Sequence, residues 1–187
     1  MKRTARGAVP PEGFRYEAGL LVPDEERALV EQIETLPLEE FEFHGYRGKR
    51  RVISYGWHYS YDSEMLGPAS EIPGFLLPAR EKAAAFAGIS ATDLAHALVT
   101  EYRPGTAIGW HRDKKVFGDV IGISLGSECV FRLRRRMESS WERHSQILER
   151  CSAYLLRGEA RTEWQHSIPA VPDLRYSITF RSLREHR

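Results

Sequence analysis

The chain has 187 residues, 42% hydrophobic and 28% charged, with a formal net charge of +1. That is one domain's worth of chain with room for a genuine core, and its charge balance excludes a protein that holds polyanions through global positive charge. No window approaches the ~20 apolar residues of a membrane span. The two cysteines, Cys129 and Cys151, form no CxxC pair, which excludes a zinc finger and a disulfide scaffold. Both lie in apolar, strand-like runs and read as buried thiols of a reducing, cytoplasmic protein.

In chain order, the first predicted element is a helix after Pro23. "DEERALVEQIETL" carries acids in its first turn and has Ala28, Leu29, Ile33 and Leu36 at helical spacing, before Pro37 stops it. The segment "RGKRRVISYGWHYSY" follows, with Arg47, Lys49, Arg50 and Arg51 ahead of Tyr55, Trp57, Tyr59 and Tyr61. Those aromatics fall two apart, one face of an extended strand. Basic groups beside aromatics suit phosphate contact and base stacking, while an ordinary core face accounts for the stripe equally well. A second helix is expected over 75–87, with Pro78 in its first turn and Gly88 closing it.

After about residue 95 the pattern changes to short strands: "AHALVTEY", "TAIGWHRD", "DVIGISLG", "ECVFRLRR", "CSAYLLRG", "TEWQHSI" and "RYSITFR". Turn residues punctuate them, as in an all-β sandwich or barrel. In "CVFRLRR", Cys129, Phe131 and Leu133 share one face, with Arg132 and Arg134 on the other. The run Arg132 to Arg136 reads first as a solvated strand end and second as a nucleic-acid contact. His144, in polar "ESSWERHSQ", is placed in a loop.

"HRD" at 111–113 spells the start of a kinase catalytic loop, but the metal-binding Asn five residues after the Asp is Gly118 here, and no Gly-rich loop, D-F-G or A-P-E accompanies it. Strand geometry offers another reading. Residues two apart point the same way, so His111 and Asp113 project together with Arg112 facing away. That is two thirds of a 2-His-1-carboxylate set for non-haem Fe(II), although a plain hydrogen-bonded His–Asp pair matches as well. His166, in "EWQHSIP", is the best candidate for a third ligand. In "RYSITFR", Arg175, Ser177, Thr179 and Arg181 share a face. The two arginines lie about 20 Å apart along an ideal strand, either solvated or pointing inward to grip anionic groups.

Taken in order, "EYRPGTAIGWHRD", "WQHSIP" and "RYSITFR" resemble the AlkB-like 2-oxoglutarate- and Fe(II)-dependent dioxygenases, and "SYGWHYS" at 54–60 is similar to that family's substrate-recognition lid. The resemblance implies one domain, mainly β with flanking helices (α+β): a double-stranded β-helix, or jelly roll, over about 95–183, supported by N-terminal helices and a lid over about 1–90. It implies His111, Asp113 and His166 as iron ligands. Arg175 with the Tyr102 hydroxyl would take the distal carboxylate of 2-oxoglutarate, and Arg181 the carboxylate beside the iron. Thr100 and Ser177 stand where the family often has Asn and complete the co-substrate set. Trp57 and Tyr59, then Tyr55 and Arg51, are the substrate candidates. The implied cofactors are Fe(II), 2-oxoglutarate and O₂. The implied reaction is oxidative demethylation of alkylated bases in DNA or RNA by a monomer, releasing formaldehyde, succinate and CO₂. The same chemistry on a protein side chain or small molecule, or a jelly roll that binds without turnover, are the other readings.

Overall fold

The structure, a computed structural model, describes residues 9–43, 46–59, 66–68 and 70–184. Strand β1 (Phe14–Glu17) precedes helix α1 (Pro23–Glu34), then β2 (Glu39–Phe43), β3 (Tyr46–Tyr55), β4 (Trp57–Tyr59), β5 (Leu66–Pro68) and helix α2 (Leu77–Ala87). The second part runs β6 (His96–Tyr102), β7 (Ile108–His111), β8 (Phe117–Leu125), β9 (Cys129–Arg136), β10 (Trp141–Leu148), β11 (Ala153–Leu156), helix α3 (Gly158–Thr162), β12 (Gln165–Ile168) and β13 (Arg175–Leu183).

Two sheets face each other as in a jelly roll. The larger runs β1-β11-β8-β13-β6-β3-β2 and the smaller β10-β9-β12-β7, while β4 and β5 form a separate hairpin. Alternation along each strand splits the larger sheet into two faces. One face, with Val99, Ile121, Ile123, Leu155, Ile178 and Phe180, packs under α1 and α2. The other, with Phe14, Tyr102, Val120, Tyr154 and Leu156, meets Phe131, Leu133 and Trp164 between the sheets.

The helices form for the reasons read from the sequence. Pro23 opens α1, Asp24, Glu25 and Glu26 fill its first turn, and Leu29 and Ile33 are its buried stripe. Helix α2 starts after a short 3₁₀ turn at Gly74–Leu76 and ends at Gly88, whose φ of 69° suits a left-handed cap. Its alanines let it lie close on the sheet. Glu26 is buried, yet accepts the Gly126 N–H at 2.8 Å and a short hydrogen bond from Arg150, tying α1 to the end of β8.

Three expectations change. His144 is in strand β10, not a loop. That strand lies at the edge of the smaller sheet, where a solvated face removes the apolar alternation that marks a strand. The stretch before His166 is split: "GEART" is helix α3 and only Gln165–Ile168 is strand. The aromatic stripe from Tyr55 is not one strand face. Gly56, at φ 80°, breaks the chain between β3 and β4, and a Cβ there would meet the Ala95 carbonyl oxygen at 2.0 Å. Tyr61 lies outside the described residues.

Candidate active site

The site lies between the two sheets, and strand register assembles it. On the smaller sheet His166 of β12 is the direct cross-strand partner of His111 of β7, with ring centroids 4.2 Å apart. Phe131 of β9 packs beside His166, ring centroids 5.3 Å apart. Strand β7 ends at His111, so Asp113 is directed inward by the following loop and not by strand alternation. Arg112 does face away, donating to the Glu163 carbonyl oxygen.

Asp113 Oδ1 lies 3.8 Å from His111 Nε2 and 4.0 Å from His166 Nε2. The three donor atoms all fall within 4.8 Å of one another, a set that could hold a metal ion. His111 Nδ1 sits 2.8 Å from the Gly109 carbonyl oxygen. A carbonyl only accepts, so the ring donates from Nδ1 and keeps its Nε2 lone pair for a metal. Burial, reinforced by the nearby His111, brings the His166 imidazole down to about 3, and burial likewise lowers His111. Both rings are therefore neutral near pH 7, as ligation requires. Burial pushes the Asp113 carboxyl upward, but the Arg181 guanidinium and the two imidazoles outweigh it and hold the group well below the usual carboxylate range.

Strand β13 supplies the opposite wall. Arg175, Ser177 and Arg181 pair with Tyr102, Thr100 and His96 of β6. Ser177 also pairs with Ser124 of β8, so three hydroxyl residues form a row across adjacent strands. All of them are buried, and Arg175 is only 1% exposed. Its guanidinium lies over the Tyr102 ring at 4.9 Å and donates from Nε to Ser124 Oγ at 3.2 Å. Among the described residues its Nη1 is buried without a partner. A charged donor left this way is costly unless an anion meets it. This orphaned N–H and the convergent His–Asp–His donors fit a small carboxylate ligand and a metal. The inward reading of the two arginines is the one observed: Arg181 is also buried, and its Nε donates to Asp113 Oδ2 at 3.1 Å.

The structure separates the substrate candidates. Arg51 and Tyr55 are across from Glu101 and Ala97 on the helix-covered face of the larger sheet, away from the site. Arg51 is engaged with Glu101 through two hydrogen bonds, at 2.8 and 2.6 Å, and Tyr55 is core. The alternation that carries Val52 and Ser54 to the inner face carries these two outward. Trp57 is exposed on β4, and Tyr59 ends the same strand.

Sequence reading missed three contributors. Tyr154 of β11 is buried between the sheets, and burial with nearby Asp113 pushes its phenol well above the ordinary range. Its ring fills the space over Gly122, where a Cβ would lie 2.3 Å from the ring. Arg161 of α3 is buried and donates to the carbonyl oxygens of Lys114, Phe117 and Gly118, pinning the loop that follows Asp113. His96 Nδ1 lies 3.3 Å from Arg181 Nη1. Only spatial proximity marks these residues, since none belongs to a short motif.

The comparisons with known proteins agree with this geometry. A family profile described as the 2OG-Fe(II) oxygenase superfamily matches residues 23–181. The chain is 29% identical over 174 residues to the "Alkylated DNA repair protein ALKBH8 homolog" of Arabidopsis thaliana, covering 74% of this chain and 50% of that protein. It is 31% identical over 99 residues to an uncharacterized protein of Acanthamoeba polyphaga mimivirus, covering 46% and 47%. The chain thus spans about half the length of the curated relatives it matches. Among solved structures, OsALKBH1 superposes with a TM-score of 0.68 at 18% identity, covering 94% of this chain and 99% of that one. A Pseudomonas putida prolyl-4-hydroxylase superposes with a TM-score of 0.63 at 15% identity, covering 92% and 93%. The two structures share the fold. With the profile match over most of its length, the chain belongs to the 2OG-Fe(II) oxygenase superfamily, whose cofactors are Fe(II), 2-oxoglutarate and O₂, and it has AlkB-like relatives.

Proposed function

We propose that the protein is an Fe(II)- and 2-oxoglutarate-dependent dioxygenase that oxidatively demethylates N-alkylated bases in DNA or RNA. The observation that carries the oxygenase chemistry is the set of three convergent donor atoms together with a buried guanidinium whose Nη1 has no partner among the described residues. In this reading His111, Asp113 and His166 hold Fe(II), which with 2-oxoglutarate and O₂ supplies the oxidising power. Arg175 takes the distal carboxylate of 2-oxoglutarate in its planar fork, with the hydroxyls of Tyr102, Thr100 and Ser177 around it. Arg181 orients Asp113 and faces the carboxylate beside the metal. The buried walls keep water from the reacting groups. The oxidised N-methyl group leaves as formaldehyde, and 2-oxoglutarate leaves as succinate and CO₂.

The nucleic-acid substrate is supported by the alkylated-DNA-repair name of one relative and by exposed Trp57 on the β4–β5 hairpin. An enzyme acting on a base extrudes it and stacks it on an apolar or aromatic wall, a part that Trp57 and Tyr59 are proposed to play. The buried free thiols suit a reducing cytoplasm. The test is mass spectrometry of oligonucleotides carrying 1-methyladenine or 3-methylcytosine, incubated with Fe(II), 2-oxoglutarate and the protein. Base demethylation with matching succinate is expected. Succinate without change in any oligonucleotide would move the substrate to a protein side chain or small molecule, and no succinate at all would overturn the oxygenase reading.

A further inference from the structure

The smaller sheet has a second face, opposite the one that carries His111 and His166. The outward positions of β9 are Val130, Arg132, Arg134 and Arg136, and those of the adjoining β10 are Ile147, Ser145, Arg143 and Trp141. Gln165 and Ser167 continue the face onto β12, and Trp110 carries it to β7. None of these outward positions holds a carboxylate. Among the described residues, none of these four arginines has an acidic partner. Among these residues Arg132 and Arg134 hydrogen-bond through Nε alone, to Ser167 and Gln165. Their inward-facing neighbour Arg135 differs sharply, meeting Glu142, Glu159 and Glu163.

Stability does not account for this pattern. Arg143 sits directly across from Arg134, and like charges opposed on neighbouring strands are destabilising. Three of the four guanidiniums lie over tryptophan rings. Arg132 and Arg134 lie 5.0 and 4.3 Å from the Trp110 ring centroid, and Arg134 and Arg136 lie 4.2 and 5.4 Å from that of Trp141. These contacts restrain Arg132, Arg134 and Arg136, and the Nη atoms of Arg132 and Arg134, which make no hydrogen bond among the described residues, remain for an acceptor such as phosphate. Alternate residues on β9 place these forks about 6.6 Å apart in a line, which suits a repeating anion better than a single one. The face also runs into the site. Strand β7 is the sheet's edge, and Trp110 adjoins His111, whose side chain is 33% exposed there.

We infer that this outer face is a docking surface for the sugar-phosphate backbone of a single-stranded nucleic acid, laid across β10 and β9 towards the β7 edge where the site opens. The arginines take phosphates, and the tryptophan–guanidinium stacks offer planes for bases. The inference rests on the nucleic-acid substrate proposed above and gives it a second contact, away from the lid. The near-neutral net charge of the chain makes the binding local to this face.

The test is fluorescence anisotropy of the full chain with a fluorescein-labelled oligothymidylate across a salt series. The double variants R134E/R143E and R134Q/R143Q are compared with the parent, and circular dichroism and uncoupled 2-oxoglutarate turnover serve as controls for folding. At least a tenfold loss of affinity is expected, with the slope of log K against log salt smaller by about 1.4 for two phosphate contacts. Unchanged affinity and slope in folded variants would overturn the inference. So would an oligonucleotide affinity equal to the parent's alongside lost binding to phosphatidylserine vesicles, which would make the face a lipid contact. Oligonucleotide binding lost in the variants, with no methylated base turned over by the parent, would sink the proposed reaction and leave this surface standing. Equal demethylation and binding by parent and variants would do the reverse.

Discussion

Arg181 donates its Nε–H to Asp113 Oδ2 at 3.1 Å, joining the last strand of the larger sheet to a metal-ligand candidate 68 residues earlier. The pair couples the two halves of the site. Removing the guanidinium leaves a buried carboxylate with only the imidazoles for support, so its pKa rises and its affinity for a divalent ion falls. Arg181→Gln is expected to weaken Mn(II) binding, measured by calorimetry in place of oxidisable Fe(II), by about 10- to 100-fold. Unchanged Mn(II) affinity would show that Asp113 does not depend on this partner.

Arg175 stands apart from the metal, and its variant should behave differently. Its Nη1, unpaired among the described residues and beside a row of hydroxyls, is the proposed place for a carboxylate, and a charge-assisted hydrogen bond contributes about 2 kcal/mol. Arg175→Met is expected to raise the KM for 2-oxoglutarate roughly thirtyfold while leaving Mn(II) affinity within about twofold. Parallel loss of both would mean that the side chain acts on the fold and not on the co-substrate.

The candidate site was legible in the sequence where it is written as side-chain identity on a regular strand. Alternation showed that Arg175 and Arg181 share a face, but not that the face is the inner one, because β13 is buried on both sides and neither face carries a solvent signature. Asp113 was identified through a strand continuation that ends at His111, and a loop pinned by Arg161 does that work instead. The placement of Arg51 and Tyr55 on the helix-covered face was not legible, because composition marks a strand but not which face of it is covered. Two helices distant in sequence decide that, and the turn at Gly56 ends the aromatic stripe. Tyr154 and Gly122 belong together only through the pairing of β11 with β8, a register that no local pattern announces.

The pH dependence of the metal-free protein follows from His166. Its folded pKa of about 3 lies below the ordinary 6.5, so between those values the unfolded chain binds more protons than the folded one. Stability therefore falls as pH drops from about 6.5 towards about 3, by at most about 1.4 kcal/mol per pH unit for this group. His111 shifts in the same direction and adds to the slope. Urea titrations near pH 7 and pH 5 should show this loss in the parent and a smaller one in His166→Gln. Equal slopes would mean that the ring is not held neutral by its surroundings.

The β4–β5 hairpin, proposed as a lid, and the larger sheet make opposite demands on their residues. Trp57 is exposed on its hairpin, whereas Arg51 is joined to the buried Glu101, which Arg103 also reaches at 2.9 Å. Trp57→Ala is expected to cut turnover of a methylated oligonucleotide at least tenfold while sparing uncoupled 2-oxoglutarate consumption and the melting temperature. Arg51→Ala should leave KM for the oligonucleotide unchanged and lower stability by about 1–2 kcal/mol, because Glu101 keeps Arg103 but loses its bidentate partner. An Arg51 variant that folds normally yet binds oligonucleotide poorly would return that residue to the substrate surface, and a Trp57 variant with normal turnover would remove the hairpin from it.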